Sequence, residues 1–291
     1  MELVVPKVEL IAETKLSREG LEEYLNDIGA TNYEIDDEIS DLENLVMIGG
    51  KACYKSFQVG LNPNISKVRE DSGDYLANIN KTGHGSVTEH GNTSFMFWNV
   101  SRVFTHELVR HRAGTAMSQE SLRFVRLDNL KFWVPTCIKE NEEATKLMLD
   151  TVKYLEGKQK ELAEIFDIDN IKEFSRKKIL TSSFRRIAPD GLATAIMWTM
   201  NIRTARHLIQ IRTSRHAEEE IRLVFDQVAQ IMVEKYPKMF SDFSYIMVDG
   251  IREWTASNAS MPYDNEKITK LSKEVEKLKE ENKRLSELVK V

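Results

Sequence analysis

The apolar positions of this chain follow two periods, and the switches between them outline its elements. Val8, Leu10 and Ile11 lie in an apolar stretch over residues 5–12 that predicts a strand. Residues 16–45 are acidic and irregular, which predicts a helix, a loop and a second helix. From Leu42 to Lys55 the spacing is helical, with Gly49-Gly50 as a weak point inside it. Residues 65–80 predict a helix that stops at Gly83-His84-Gly85. Ser94 to Val100 is short and aromatic, a strand pattern, and residues 102–112 follow it as a helix. Further helices are predicted over 140–165, 170–184, 202–212 and 215–236, and a second strand over Gly191 to Met200. Few, dispersed strands among dominant helices give the α+β class.

The last segment has a different rhythm. Ile268, Leu271, Val275, Leu278, Asn282, Leu285 and Val289 alternate spacings of three and four, an a/d heptad seam with charged residues between. Asn282 falls at an a position, where a buried amide specifies pairing. The seam is short, so the pattern reads either as a coiled coil or as an amphipathic helix docked on its own domain. Met261-Pro262-Tyr263-Asp264 reads as a linker, which divides the chain into a domain over 1–260 and a helical extension over 265–291.

Composition narrows the function. The formal net charge of -5 supplies no global basic field for nucleic acid. Two distant cysteines, Cys53 and Cys137, make neither a disulfide framework nor a metal set, which points to a reducing, cytoplasmic compartment. The N-terminal segment is too short and charged for a signal peptide, and no apolar run approaches the roughly 20 residues of a membrane span.

The candidate chemistry is clustered. All six histidines fall in two windows: His84, His90, His106 and His111, then His207 and His216. Arg102, Arg110, Arg112, Arg123 and Arg126 share the first window, and Arg185, Arg186, Arg203, Arg206, Arg212, Arg215 and Arg222 crowd around the second. Arginine holds phosphate with a planar fork, so these clusters point to a small, multiply charged anion; interface ion pairing is the competing reading. Arg203 and His207 are one helical turn apart, and Arg102, His106 and Arg110 form an i, i+4, i+8 row. Gly114, Ser118 and Ser121 suit a loop that approaches a ligand closely. No metal-ligand spacing, no nucleophile context for either cysteine and no glycine-rich dinucleotide fingerprint is present.

Several ordered motifs resemble those of the flavin-dependent thymidylate synthases. Glu107-Leu-Val-Arg-His-Arg112 followed by Ser118-Gln-Glu-Ser-Leu-Arg-Phe124 is similar to the family signature: an Arg-His-Arg, a spacer, then a serine with an arginine two residues on. Gly83-His84-Gly85-Ser86 through Glu89-His90 resembles the flavin-binding histidine segment. Ala52-Cys-Tyr54, Ser101-Arg102, Arg185 with Pro189, and Asn201-Ile-Arg203 through Arg222 resemble further family segments. Together they span about residues 5–250. The spacer between Arg112 and Ser121 is eight residues where the family has seven, Phe124 stands for the usual tyrosine, and Ala188 for the usual leucine.

The resemblance implies a helix-rich α+β fold with a small central sheet, distinct from the Rossmann type, over the catalytic domain 1–260. It implies methylation of dUMP to dTMP, with methylenetetrahydrofolate as one-carbon donor and FAD, reduced by NADPH, as hydride carrier. By position, His84, Ser86, Glu89, Arg110, His111, Arg112, Asn201, Arg203 and His207 would hold FAD. Glu107, Gln119, Ser121, Arg123, Arg185 and Arg212 would hold the substrate, with Arg212 and Ser121 as catalytic residues. It also implies a homotetramer with shared active sites, and neither nucleic acid nor membrane as partner. The other readings are a relative acting on another pyrimidine nucleotide and a non-catalytic nucleotide-binding scaffold. Retention of Arg212, Ser121 and the Arg-His-Arg triplet argues against the scaffold.

Overall fold

The computed structural model describes residues 2–123, 129–257 and 277–278. The heptad seam and its linker lie outside the described residues apart from Lys277 and Leu278, as do Phe124 and Arg126. In chain order the elements are β1 (Glu2–Leu3), β2 (Lys7–Glu13), α1 (Arg18–Asp27), α2 (Asp41–Tyr54), α3 (Ser72–Thr82), β3 (Asn92–Ser101), α4 (Arg102–Leu108), β4 (Thr115–Gln119), β5 (Lys131–Phe132), α5 (Thr136–Lys139), α6 (Glu142–Ile165), α7 (Phe174–Phe184), β6 (Ala193–Asn201), α8 (Ile202–Thr213), α9 (Glu219–Lys235), β7 (Phe243–Val248) and β8 (Ile251–Ala256). The class is α+β, helix-rich with small sheets.

Four strands form the central sheet in the order β2-β3-β6-β4, with every neighbouring pair antiparallel. The period-2 alternation of β3 and β6 puts Phe95, Phe97, Ile196, Trp198 and Met200 on one face. That face packs against Leu208 and Ile209 of α8 and Phe225 and Val228 of α9, all fully buried. Each such side chain taken from water contributes roughly 1.5–3 kcal/mol, so this layer fixes how α8 and α9 lie on the sheet. The opposite face is more open: Ser94 and Thr199 share a hydrogen bond of 2.8 Å there, and Met197 is exposed.

Most predicted elements are present, with five differences. The helix expected over 65–80 begins only after Asp71, whose carboxylate caps α3 by accepting from Asp74 N at 2.7 Å. Gly49-Gly50 does not break α2; the glycines admit close neighbours, since a Cβ on Gly50 would sit 2.7 Å from the Tyr75 hydroxyl. The helix expected over 102–112 ends at Leu108, and the stretch read as a ligand loop contains strand β4. The hairpin of β7 and β8 has no counterpart in the sequence reading; its turn is Asp249-Gly250, both at positive φ. Among the described residues, no helix is long and apolar enough to cross a membrane.

Candidate active site

Two strand-to-helix junctions build the site. β3 runs directly into α4, with Ser101 as N-cap: its Oγ accepts from Phe104 N at 3.0 Å. β6 runs directly into α8, with Asn201 as N-cap accepting from Thr204 N at 2.9 Å. Short polar side chains suit these positions because they satisfy a helix N–H that has no partner of its own. Ser101 pairs with Ala193, and Asn92 with Asn201, so the two helices start at opposite ends of the strand pair. Their far ends converge. Arg212 Nη1 meets Glu107 Oε2 at 2.9 Å, and Arg212 Nη2 reaches the Glu107 carbonyl at 3.4 Å.

Because α4 stops at Leu108, Arg110, His111 and Arg112 occupy the turn that follows it, and Arg110 leaves the predicted helical row. The turn is closed by His111 N donating to Leu108 O at 3.1 Å. His111 Nε2 accepts from Arg212 Nε at 2.9 Å, so that nitrogen carries no proton. Burial, then the neighbouring Arg212 and His207, push the His111 pKa down to about 4 and keep the ring neutral at pH 7. Arg110 and Arg112 are exposed and make no ion pair among the described residues.

The chain after the triplet is clasped against the first turn of α8. Thr204 Oγ1 donates to Ala113 O at 2.9 Å, and Asn201 N to Gly114 O at 3.1 Å. Gly114 has φ +67, and a Cβ there would lie 2.4 Å from Asn201 Nδ2. Arg112 is thereby carried next to the first turn of α8.

On the same side of α8, Arg203 pairs with Glu89 at 2.6 Å. A Cβ on Gly85 would lie 2.9 Å from Arg203 Nε, so the glycine lets the guanidinium lie against the backbone. His84 is stacked on Tyr54, ring centres 5.8 Å apart, with the Tyr54 hydroxyl 3.4 Å from Nε2. Ser86 is exposed just before the turn Val87–Glu89. His207 lies one helical turn beyond Arg203, in the field of His111.

The remaining predicted residues lie around α4. Gln119, at the end of β4, donates to Thr105 Oγ1 on α4 at 3.0 Å. Ser121 Oγ accepts from Arg123 N at 3.3 Å, and the Arg123 side chain is exposed. Arg185 sits on the short turn Arg185–Ile187. It faces Arg102, which was given no site role from sequence. Backbone bonds from Arg102 N to Leu192 O and from Val103 N to Asp190 O, each 3.1 Å, hold the start of α4 to the segment after Arg185. Arg102 Nη1 is buried with no hydrogen-bond partner. Burial and the Arg185 charge lower its pKa, only partly offset by Asp190 and Glu120. An unmet guanidinium donor beside a second cation is chemically suited to an anion. The sequence signal for it was Ser101-Arg102, a cap and a cation directly after an aromatic strand.

A cavity of about 1080 Å³ lies elsewhere, around Tyr33, Lys51, Phe57 and Arg69, and none of the predicted site residues lines it. Among the described residues no group of three or more histidine, cysteine or acidic side chains is placed to hold a metal.

An α+β fold that brings unpaired arginines, a neutral histidine and a carboxylate to converging helix ends has the chemistry that suits a multiply charged anion. A family model described as thymidylate synthase complementing protein matches residues 35–238. A flavin-dependent thymidylate synthase of Corynebacterium diphtheriae is 33% identical over 223 residues, covering 75% of this chain and 86% of the relative. One of Corynebacterium aurimucosum is 31% identical over 236 residues, covering 80% and 90%. One of Mycobacteroides abscessus is 32% identical over 204 residues, covering 68% and 78%. The chain belongs to the flavin-dependent thymidylate synthase family.

Proposed function

We propose that this protein methylates dUMP to dTMP, with methylenetetrahydrofolate as one-carbon donor and FAD reduced by NADPH. The observation that carries the reading is the Glu107–Arg212–His111 cluster beside the unpaired Arg110 and Arg112. The donor set fits FAD. Arg110 and Arg112 suit a pyrophosphate, and the neutral His111 and the Tyr54–His84 stack suit a flat polar ring. Ser86, Glu89, Asn201, Arg203 and His207 would border the same ligand. The reduced flavin supplies the hydride, and the protein's share is binding, orientation and charge stabilisation.

Arg102 and Arg185 suit the dUMP phosphate by charge, with Gln119, Ser121 and Arg123 on the nucleotide. Carbon 5 of uracil is a poor nucleophile, and neither Cys53 nor Cys137 belongs to this cluster. Arg212 against a uracil carbonyl would stabilise negative charge as it builds on the ring. Glu107 and His111 hold that guanidinium in one plane, so the charge is aimed before substrate arrives. The open placement of Arg110, Arg112 and Arg123 fits a site completed by other copies of the chain, as in the homotetramer the motifs imply.

The test is direct. The purified protein should show flavin absorbance and release tritium from carbon-5-labelled dUMP when given methylenetetrahydrofolate and NADPH. Release from UMP with none from dUMP would assign a different nucleotide and overturn the reading.

A further inference from the structure

Glu220 is only 1% exposed, in the first turn of α9, and takes no part in the chemistry above. Its two carboxylate oxygens are spent on one residue. Oε1 accepts from Ser101 N at 2.6 Å, and Oε2 accepts from the Ser101 hydroxyl. The Ser101 Oγ in turn accepts from Phe104 N and caps α4. Arg102 is the next residue in the chain, and Glu107 is one and a half turns further along α4. One buried carboxylate therefore anchors the residue from which both parts of the nucleotide site depart.

We propose that Glu220 is a positioning residue for the nucleotide site, acting through Ser101 to hold Arg102 and Glu107 in register with Arg185 and Arg212. The inference rests on the dUMP reading. Only the ionised carboxylate satisfies the whole arrangement, because it accepts from both Ser101 donors. A protonated Glu220 would donate to Ser101 Oγ and leave the serine hydroxyl proton without an acceptor. Three effects oppose or favour ionisation. Burial acts most strongly and raises the Glu220 pKa, the Ser101 bonds pull it down, and the like charges of Glu218 and Glu107 push it up again, to about 7 in all. Glu218 is the N-cap of α9, and Glu107 is paired with Arg212. The brace is consequently complete above neutrality and weakened below it.

The experiment compares wild type with Glu220→Gln, Ser101→Ala and the double variant. Wild-type kcat/KM for dUMP should rise with pH through about 7. Glu220→Gln, whose amide mimics the protonated acid, should lose that limb and be roughly tenfold poorer at pH 8, mainly in KM for dUMP. Ser101→Ala should be impaired similarly, and the double variant no worse than either single one. Glu220→Gln should also expose the Phe104 amide to faster hydrogen exchange while amides in the middle of α8 keep their protection. Wild-type activity on dUMP reads the proposed function alone, and the Phe104 amide reads the brace alone. If Glu220→Gln does not fold, Ser101→Ala carries the test. Unchanged KM with an unchanged pH profile in either folded variant, additive losses in the double variant, or an unaltered Phe104 amide would each overturn the proposal.

Discussion

Arg212 and His111 come from segments 101 residues apart, yet Arg212 Nε donates to His111 Nε2 at 2.9 Å. The same guanidinium bonds Glu107, so its plane is set by two partners at right positions for a fork and wrong ones for a point charge. Arg212→Lys should keep bound flavin but lose two or more orders of magnitude in turnover, because removing a preorganised electrostatic donor costs about 10²–10³ in rate. Flavin content by absorbance and tritium release measured on the same sample check this. Loss of flavin with unchanged dUMP affinity would assign the residue to the other ligand.

Arg102→Ala separates binding from folding. Each lost hydrogen bond to a charged group is worth about 1.5–3 kcal/mol, so dUMP affinity should fall roughly 10- to 100-fold. The free protein should melt no lower than wild type, because the change removes a buried unmet donor and its repulsion with Arg185. Calorimetric titration with dUMP and a melting curve without it give the two readouts.

Gly114→Ala should be among the most damaging single-methyl changes. A positive φ of 67 costs a non-glycine residue about 1–3 kcal/mol, and the new Cβ would strike Asn201, whose cap on α8 is worth about 1 kcal/mol. A lower melting temperature and weaker flavin retention are expected together. An unchanged melting temperature would contradict the clasp at this turn.

The neutral His111 ring links stability to pH. Above pH 6.5 the ring is neutral whether folded or not and adds nothing. Below 6.5 the unfolded chain takes up a proton that the folded site resists down to about 4, so stability is lost as pH falls through that window. In His111→Gln this part of the acid slope should vanish, seen as a shallower decline of melting temperature between pH 6.5 and 4.

Changing both Cys53 and Cys137 to alanine should leave dUMP turnover within about tenfold of wild type, a barrier change below roughly 1.4 kcal/mol. Both thiols are exposed, and neither adjoins the Glu107–Arg212–His111 cluster. A loss of several orders of magnitude in a folded, flavin-loaded double variant would mean that a thiolate activates the pyrimidine.

What the sequence conveyed depended on how local the cause was. β3 and β6 were legible because their alternation is set by the face each residue presents to the core. The start of α4 was legible too, but its end was not. Leu108 is followed by Val109-Arg110-His111, which nothing local forbids from continuing a helix; the turn exists because Gly114 and Ala113 bond to α8, 87 or more residues away in sequence. The same holds for Arg102. Its charge was visible, but its role came only from a neighbour, Arg185, delivered by the long excursion through α5, α6 and α7. Glu220 was hidden for a third reason: in the run Glu218-Glu219-Glu220 only the folded packing distinguishes the buried acid from its neighbours.

The loop-free junctions at Ser101 and Asn201 also limit where this chain is able to change length. One residue added to β3 or β6 would turn every following side chain to the other side of the sheet and swing α4 or α8 by about 100°. Arg212 and Glu107 would then point away from each other. The turn between Arg112 and Thr115 is held as well, because Ala113 and Gly114 bond to the first turn of α8. The eight-residue spacer before Ser121 contains the whole of β4, which is in register with β6. A change of length at any of these places therefore reaches the frame that aims the charges, because it is the shared register of β3, β6 and β4 that brings Glu107 to Arg212.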